Sequence, residues 1–402
     1  VSELALTQRP RLSVPAMAAG ALLLGALAVG AAFGARIGWL MVVGGLFGMV
    51  LYHAAFGFTA AWRVFIVERR GRGLRAQMVM LAIAVLLFFP ALGAGSLFGQ
   101  SVYGFVAPIG VSVVVGAFLF GVGMQLGGGC ASGTLFTAGG GNARMLITLL
   151  FFIVGSLIGT AHFSWWQSLP AFRPVSLVGE FGAGGGIVVS LALFAAIAAF
   201  TVLMEKRRHG QLEQAPRIDA GNRRWLTGPW PLLAGAVALA LLNFATLALA
   251  GRPWGITSAF ALWGAKGFEF LGGDVSAWGY WQSPGNAAAL QNSVWSDITT
   301  VMNVGIMVGA LVAASLAGKF APNFRIPAKS VLAAVLGGIL LGYGARLAFG
   351  CNIGAYFSGI ASGSLHGWVW LVAAFAGNML GVKLRPLFFE GEAARQPAAK
   401  GC

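Results

Sequence analysis

Apolar runs of 18 to 25 residues recur along this chain from Pro15 to Val382, each long enough to cross the hydrocarbon core of a bilayer as a helix. In lipid every backbone N–H and C=O must find a partner within the protein, so runs of this length fold as α-helices and the chain is expected to be an all-α integral membrane protein. The runs fall at about 15–35, 37–67, 76–96, 105–126, 144–163, 182–204, 229–272, 298–318, 330–349 and 367–382. A soluble domain is excluded by 58% hydrophobic residues, 9% charged residues and a mean hydropathy of +0.82. The run 15–35 follows a polar start carrying Arg9 and Arg11 and is long for a signal-peptide core, so it is read as the first transmembrane helix.

The formal charge of +15 does not point to nucleic acid, because the basic residues sit in short loops between apolar runs. Residues 63–75 hold five arginines and one acid, and residues 205–224 hold six Lys or Arg and three acids. The positive-inside rule places both loops in the cytoplasm, together with the N- and C-termini of a multi-pass protein of the cytoplasmic (inner) membrane. Residues 273–297 carry two aspartates and several aromatics but no Lys or Arg, and belong outside.

Two runs exceed one simple helix. Residues 37–67 contain His53 and Gly57, and residues 229–272 contain Gly251-Arg252-Pro253-Trp254-Gly255, so both are expected to be broken or re-entrant. The chain also repeats itself. An offset of 221 residues lays Cys130 on Cys351, Gly116 on Gly337, Gly129 on Gly350, Gly133 on Gly354 and Phe136 on Phe357. More weakly, Gly57-Phe58-Thr59 resembles Gly255-Ile256-Thr257. Equivalent loops have opposite charge character, which predicts two pseudo-twofold halves of inverted orientation. The expected organisation is a first helix in 1–36, a first half in 37–181, a connecting helix and basic loop in 182–228, a second half in 229–385 and a cytoplasmic tail in 386–402.

The repeat centres read Gly127-Gly128-Gly129-Cys130-Ala-Ser-Gly133 and Phe349-Gly350-Cys351-Asn352-Ile-Gly354. Each puts a thiol where a helix must break, with glycines that can expose N–H groups and a following half-helix whose positive end faces the sulfur. That arrangement suits a small anion. The alternative is that each Cys is a small apolar residue packed among glycines, which two matched sites make less attractive. No Cys-x-x-Cys or His cluster suggests a metal, no nucleotide-binding motif is present, and no cofactor is expected. Gln125 and Arg346 stand five residues before the cysteines, where they either face the substrate route or anchor helix ends. Lys266 and Glu269 are expected to pair, His53 to pack, and Cys402 to be an ordinary terminal thiol.

These two motifs, with Trp254-Gly-Ile-Thr-Ser-Ala-Phe-Ala-Leu-Trp-Gly-Ala-Lys266, resemble the YeeE/YedE family of sulfur-compound transporters over roughly residues 40 to 382. The resemblance implies an hourglass-like fold whose cysteine-lined constriction admits thiosulfate or a related species. Many members carry a further cysteine in a Phe-Cys-Phe context, where this chain has Phe56-Gly57-Phe58. The expected function is uptake of a small sulfur oxyanion, most simply thiosulfate, along a path formed by Cys130, Cys351, Gly128, Gly129, Gly133, Gly350, Asn352, Gly354, Gly57 and Arg346. Transport of a selenium compound and a membrane sulfurtransferase that forms a persulfide are the alternatives. The expected partners are the anion, the bilayer and a cytoplasmic sulfur-carrier protein, and not nucleic acid.

Overall fold

A computed structural model of the chain describes residues 13–214 and 224–389. Arg9 and Arg11, residues 215–223 of the second basic loop, the tail from 390 and Cys402 lie outside the described residues. Among the described residues, ten helices are long and apolar enough to cross a membrane. The main helices are α1 Ser13–Phe33, α2 Ala35–His53, α3 Phe58–Glu68, α4 Arg72–Ala94, α5 Val111–Gly127, α6 Ala131–Gly139, α7 Ala143–Ala161, α8 Leu177–His209, α9 Leu232–Ala250, α10 Thr257–Phe270, α11 Ile298–Leu316, α12 Ala328–Leu347 and α13 Leu365–Leu384. Both long runs are broken where glycine and proline interrupt them. Residues 54–57 separate α2 from α3, and residues 251–256 separate α9 from α10.

The expected run 182–204 extends as a helix over Leu177–His209, while another run begins later than expected. The run 105–126 becomes helical only at Val111, because Pro108 opposes an earlier start and the backbone N–H groups of Phe105 and Ala107 are instead tied to the hydroxyls of Ser362 and Ser364. Residues 271–297 are also more than a loop. They form short helices at Gly279–Gln282 and Pro284–Gln291, and Val275, Trp281 and Leu290 bury against Leu262 and Ala265 of α10.

Close packing sets the helix directions. The α2–α11 contact is so tight that a Cβ on Gly309 would fall 1.9 Å from the carbonyl oxygen of Gly45, so no larger residue fits there. Gly116 lies against Gly344 and Leu347, and Gly123 against Gly337 and Leu341, so α5 and α12 run antiparallel. Gly338 meets Thr148 and Gly342 meets Phe152, so α7 runs parallel to α12, while Gly377 against Phe118 and Gly381 against Gln125 make α13 parallel to α5. The peripheral α1 and α8 turn most of their apolar surface outward, as lipid-facing helices do.

The two basic loops meet at one end of the bundle. Glu205, with a fully buried carboxylate, binds Arg75 at 2.7 Å and Arg70 at 3.4 Å and accepts the N–H of Gly71, while Arg72 pairs with Glu213. Lys319 shares a recess with His53 and Gly228 at that basic end. At the other end, Tyr103 donates its N–H to Gly251, and Trp281 reaches Thr160 at the end of α7. The expected pair does not form: among the described residues no ion pair joins Lys266 to Glu269.

Candidate functional site

The first cysteine turn begins where Gly128, at φ +89°, ends α5 in the left-handed conformation. Cys130 follows in extended conformation as the N-cap of α6. Its sulfur accepts the backbone N–H of Gly133 at 3.4 Å and lies 3.3 Å from the Ser132 hydroxyl. Sulfur thus fills the role that a Ser or Asp oxygen has at most helix starts, satisfying one of the orphan N–H groups.

The second turn repeats this device with other residues. Phe349, at φ +58°, takes the left-handed position that Gly128 has in the first turn, a conformation that costs a side-chain-bearing residue about 1–2 kcal/mol. Cys351 is again an extended N-cap, with its sulfur accepting the N–H of Ile353 at 3.3 Å, but the segment that follows, Asn352–Ser358, is a wide π-type turn. Both cysteines are buried and unlinked by any disulfide.

Contacts recur at the offset seen in the sequence. A Cβ on Gly129 would stand 3.1 Å from the amide nitrogen of Thr134, and one on Gly350 2.8 Å from that of Ala355. Gln125 donates to the carbonyl oxygen of Thr59 at the start of α3, and Arg346 donates to the hydroxyl of Thr257 at the start of α10. Each residue five positions before a cysteine therefore holds a broken helix by a threonine.

Cys130, Gly128, Gly129 and Gly133 form one cluster and Gly350, Cys351, Asn352 and Gly354 the other, and α6 touches the π-turn. Gly57 caps α3 beside them, since the next residue, Phe58, packs edge-on against Tyr356 of the π-turn at 6.1 Å. Asn352 is fully buried, and neither its amide nitrogen nor its oxygen has a protein hydrogen-bond partner among the described residues. A buried amide left with both ends unsatisfied is costly, which makes it a natural place for a polar ligand.

Sequence reasoning missed the supports around these residues. Tyr356 stacks on Trp370, Trp370 donates to the carbonyl of Gly350 at 3.2 Å, and both Tyr356 and Trp62 donate to Gln77. Gln125 is held at 2.6 Å by Asn378. Four buried polar or aromatic residues in otherwise apolar helices (Trp62, Gln77, Tyr356 and Asn378) were the available signal.

A cavity of about 550 Å³ opens at the end away from the basic loops and reaches the second turn. Arg252, Trp254, Tyr280, Arg346, Gly350 and Gly354 are among its lining. Among the hydrogen bonds of the described residues, no His, Lys or carboxylate reaches either sulfur.

Comparison with known proteins gives a match to the family described as sulphur transport over residues 53–380. The chain is 32% identical over 168 residues to the probable transporter YedE of Escherichia coli (strain K12), a match covering 41% of this chain and 40% of that protein. It therefore spans about two fifths of the length of the YedE proteins it matches. It is 30% identical over 353 residues to the thiosulfate transporter TsuA of Spirochaeta thermophila, covering 84% of this chain and 96% of that one. With the thiosulfate transporter TsuA of Escherichia coli the identity is 27% over 353 residues, covering 84% and 91%.

Proposed function

The chain belongs to the sulphur-transport family, that of the YeeE/YedE proteins, and from that premise we propose that it takes up thiosulfate across the cytoplasmic membrane through a narrow path between its two cysteine turns. The observation that carries this reading is the matched pair of buried thiols, each capping a half-helix. A dianion in hydrocarbon is very unfavourable unless fixed donors replace its water, and N–H groups at two half-helix starts supply such donors. Because a backbone N–H donates to its sulfur, a protonated Cys351 keeps its own hydrogen for the passing anion, and Cys130 does the same when the Ser132 hydroxyl donates to it. The amide of Asn352, without a protein partner, adds a further donor beside Cys351.

The same reading takes 37–181 and 229–385 as inverted halves of an hourglass, joined by 182–228 and flanked by 1–36 and 386–402. Antiparallel α5 and α12 and the contacts recurring at the 221-residue offset support it. The basic end then faces the cytoplasm, and impermeant reagents added outside should label residues 273–297 and spare 63–75. Labelling of both from one side would reject this orientation. A persulfide-forming transferase has less support, since among the described residues no base hydrogen-bonds to either thiol.

The decisive experiment measures uptake of labelled thiosulfate, sulfate and selenite by cells that lack their own transporters. Thiosulfate accumulation above the vector control, with weaker sulfate and selenite uptake, is the expected result. A correctly inserted protein that gives none would overturn the reading.

A further inference from the structure

Arg346 is buried, with 6% of its surface exposed, yet none of the ion pairs among the described residues includes it. Its guanidinium donates to two neutral oxygens, the Tyr280 hydroxyl and, at 3.3 Å, the Thr257 hydroxyl, and lies 5.1 Å from the centre of the Tyr280 ring. Its Nε has no protein partner. The carbonyl end of α12 offsets part of the charge, since Arg346 sits in its last turn. A buried cation without a carboxylate is nevertheless costly, and such groups are retained where a charge comes and goes.

The other charged residues of the cavity do not neutralise it. Asp297 accepts both the N–H and the hydroxyl of Thr300 as the N-cap of α11, and Arg252 donates to the Thr299 hydroxyl. The cavity thus holds two guanidinium groups against one carboxylate already committed to a helix start. The equivalent position in the first half has a neutral side chain: Gln125 is fully buried and donates its amide to Asn378 and Thr59, while Arg385 and Arg144 donate to the backbone carbonyls of Gln125 and Leu126.

We infer that Arg346 is the anion-capture residue of the cavity, binding a doubly charged oxyanion next to Gly350 before it reaches Cys351. This rests on the transport reading and adds a point of anion entry to it. Tyr280 completes the device, because it belongs to the folded segment 271–297 and fixes the guanidinium from above.

The test is equilibrium binding of thiosulfate and sulfate to the detergent-purified full chain, by calorimetry and by fluorescence of the cavity tryptophans. Arg346→Gln, which installs the residue of the other half, is expected to weaken thiosulfate binding by about thirtyfold or more. Arg346→Lys, which keeps the charge, should stay within about tenfold of the parent protein. Arg346→Met repeats the neutral test with an apolar chain in case glutamine perturbs folding. Cys351→Ala should lose uptake while keeping cavity binding, which separates the two steps. Parent-like binding by either folded neutral variant, or equal losses in the lysine and glutamine variants, would overturn the assignment. Absence of thiosulfate uptake by the parent protein would instead overturn the transport reading.

Discussion

The two cysteine turns use one backbone device in two chemical settings. Both sulfurs cap a half-helix from an extended residue that follows a left-handed position. In the first, glycine occupies that position, an ordinary nine-residue helix follows, and the side chain five residues before the cysteine is a neutral amide, with Arg144 and Arg385 donating to the backbone carbonyls there. In the second, Phe349 accepts backbone strain, a π-turn follows, and a buried arginine lines a cavity. The shared part is the backbone that lets sulfur cap each half-helix, and the differing part is the side chains and turn type around it. π-turns and left-handed non-glycine residues persist only where surrounding structure enforces them, and they concentrate at functional sites. The second turn is therefore the more constrained of the two.

That difference can be broken most strongly at the glycines. A Cβ on Gly350 meets a backbone amide at 2.8 Å from a φ of +155°, whereas one on Gly129 has 3.1 Å. Gly350→Ala should abolish uptake and lower stability by about 1–3 kcal/mol, and Gly129→Ala should do less on both counts. Leucine at either site should leave no transport in an inserted protein. Thermal unfolding in detergent beside uptake assays checks the ranking, and near-normal uptake by Gly129→Leu would remove the anion-site reading.

The thiols probe the same comparison more gently. Cys130→Ser keeps a cap and a hydrogen-bond donor, so it should retain measurable uptake where Cys130→Ala retains little, and Cys351 should show the same order. Removing the N-cap acceptor should also cost about 1 kcal/mol of stability in the alanine variants and less in the serine ones. If the thiols act as nucleophiles, serine will be as inactive as alanine. Full uptake by the Cys130→Ala, Cys351→Ala double variant would leave only packing as their role.

Much of this architecture is legible in the residues because lipid leaves few options. Helices must be about twenty apolar residues long, so the runs could be read directly, and glycine and proline mark where they break. The 221-residue offset was visible because cysteine is rare here and two of the chain's three cysteines share flanking glycines. What could not be read depends on distant partners. Tyr280 meets Arg346 across 66 residues, and Gln77 meets Tyr356 across 279. The buried role of Glu205 was likewise hidden, because its arginines lie on another loop. Spacing alone suggests that Lys266 and Glu269 pair, and among the described residues they form no ion pair. Side-chain spacing along one helix predicts that residues can meet, not that they do.

The smallest expected effect lies at Gly57, the third point of the comparison. It is the N-cap of α3, as Cys130 and Cys351 are of their own segments, but its φ of −102° is open to any residue. A Cβ there would meet its nearest neighbour, the Cβ of Ala60, at 3.6 Å, an ordinary contact. Nothing steric therefore excludes the cysteine that many YeeE/YedE proteins carry between two phenylalanines. Gly57→Cys should insert normally and change stability by no more than about 1 kcal/mol, the size of a glycine replacement in compatible backbone. In a Cys402→Ala background it should raise the number of thiols titrated in denaturant from two to three. Uptake should change modestly, with any effect appearing as a shift in preference between thiosulfate and sulfate. A loss of stability as large as that of Gly350→Ala would show that position 57 is closed to a side chain, and that glycine there is required by packing.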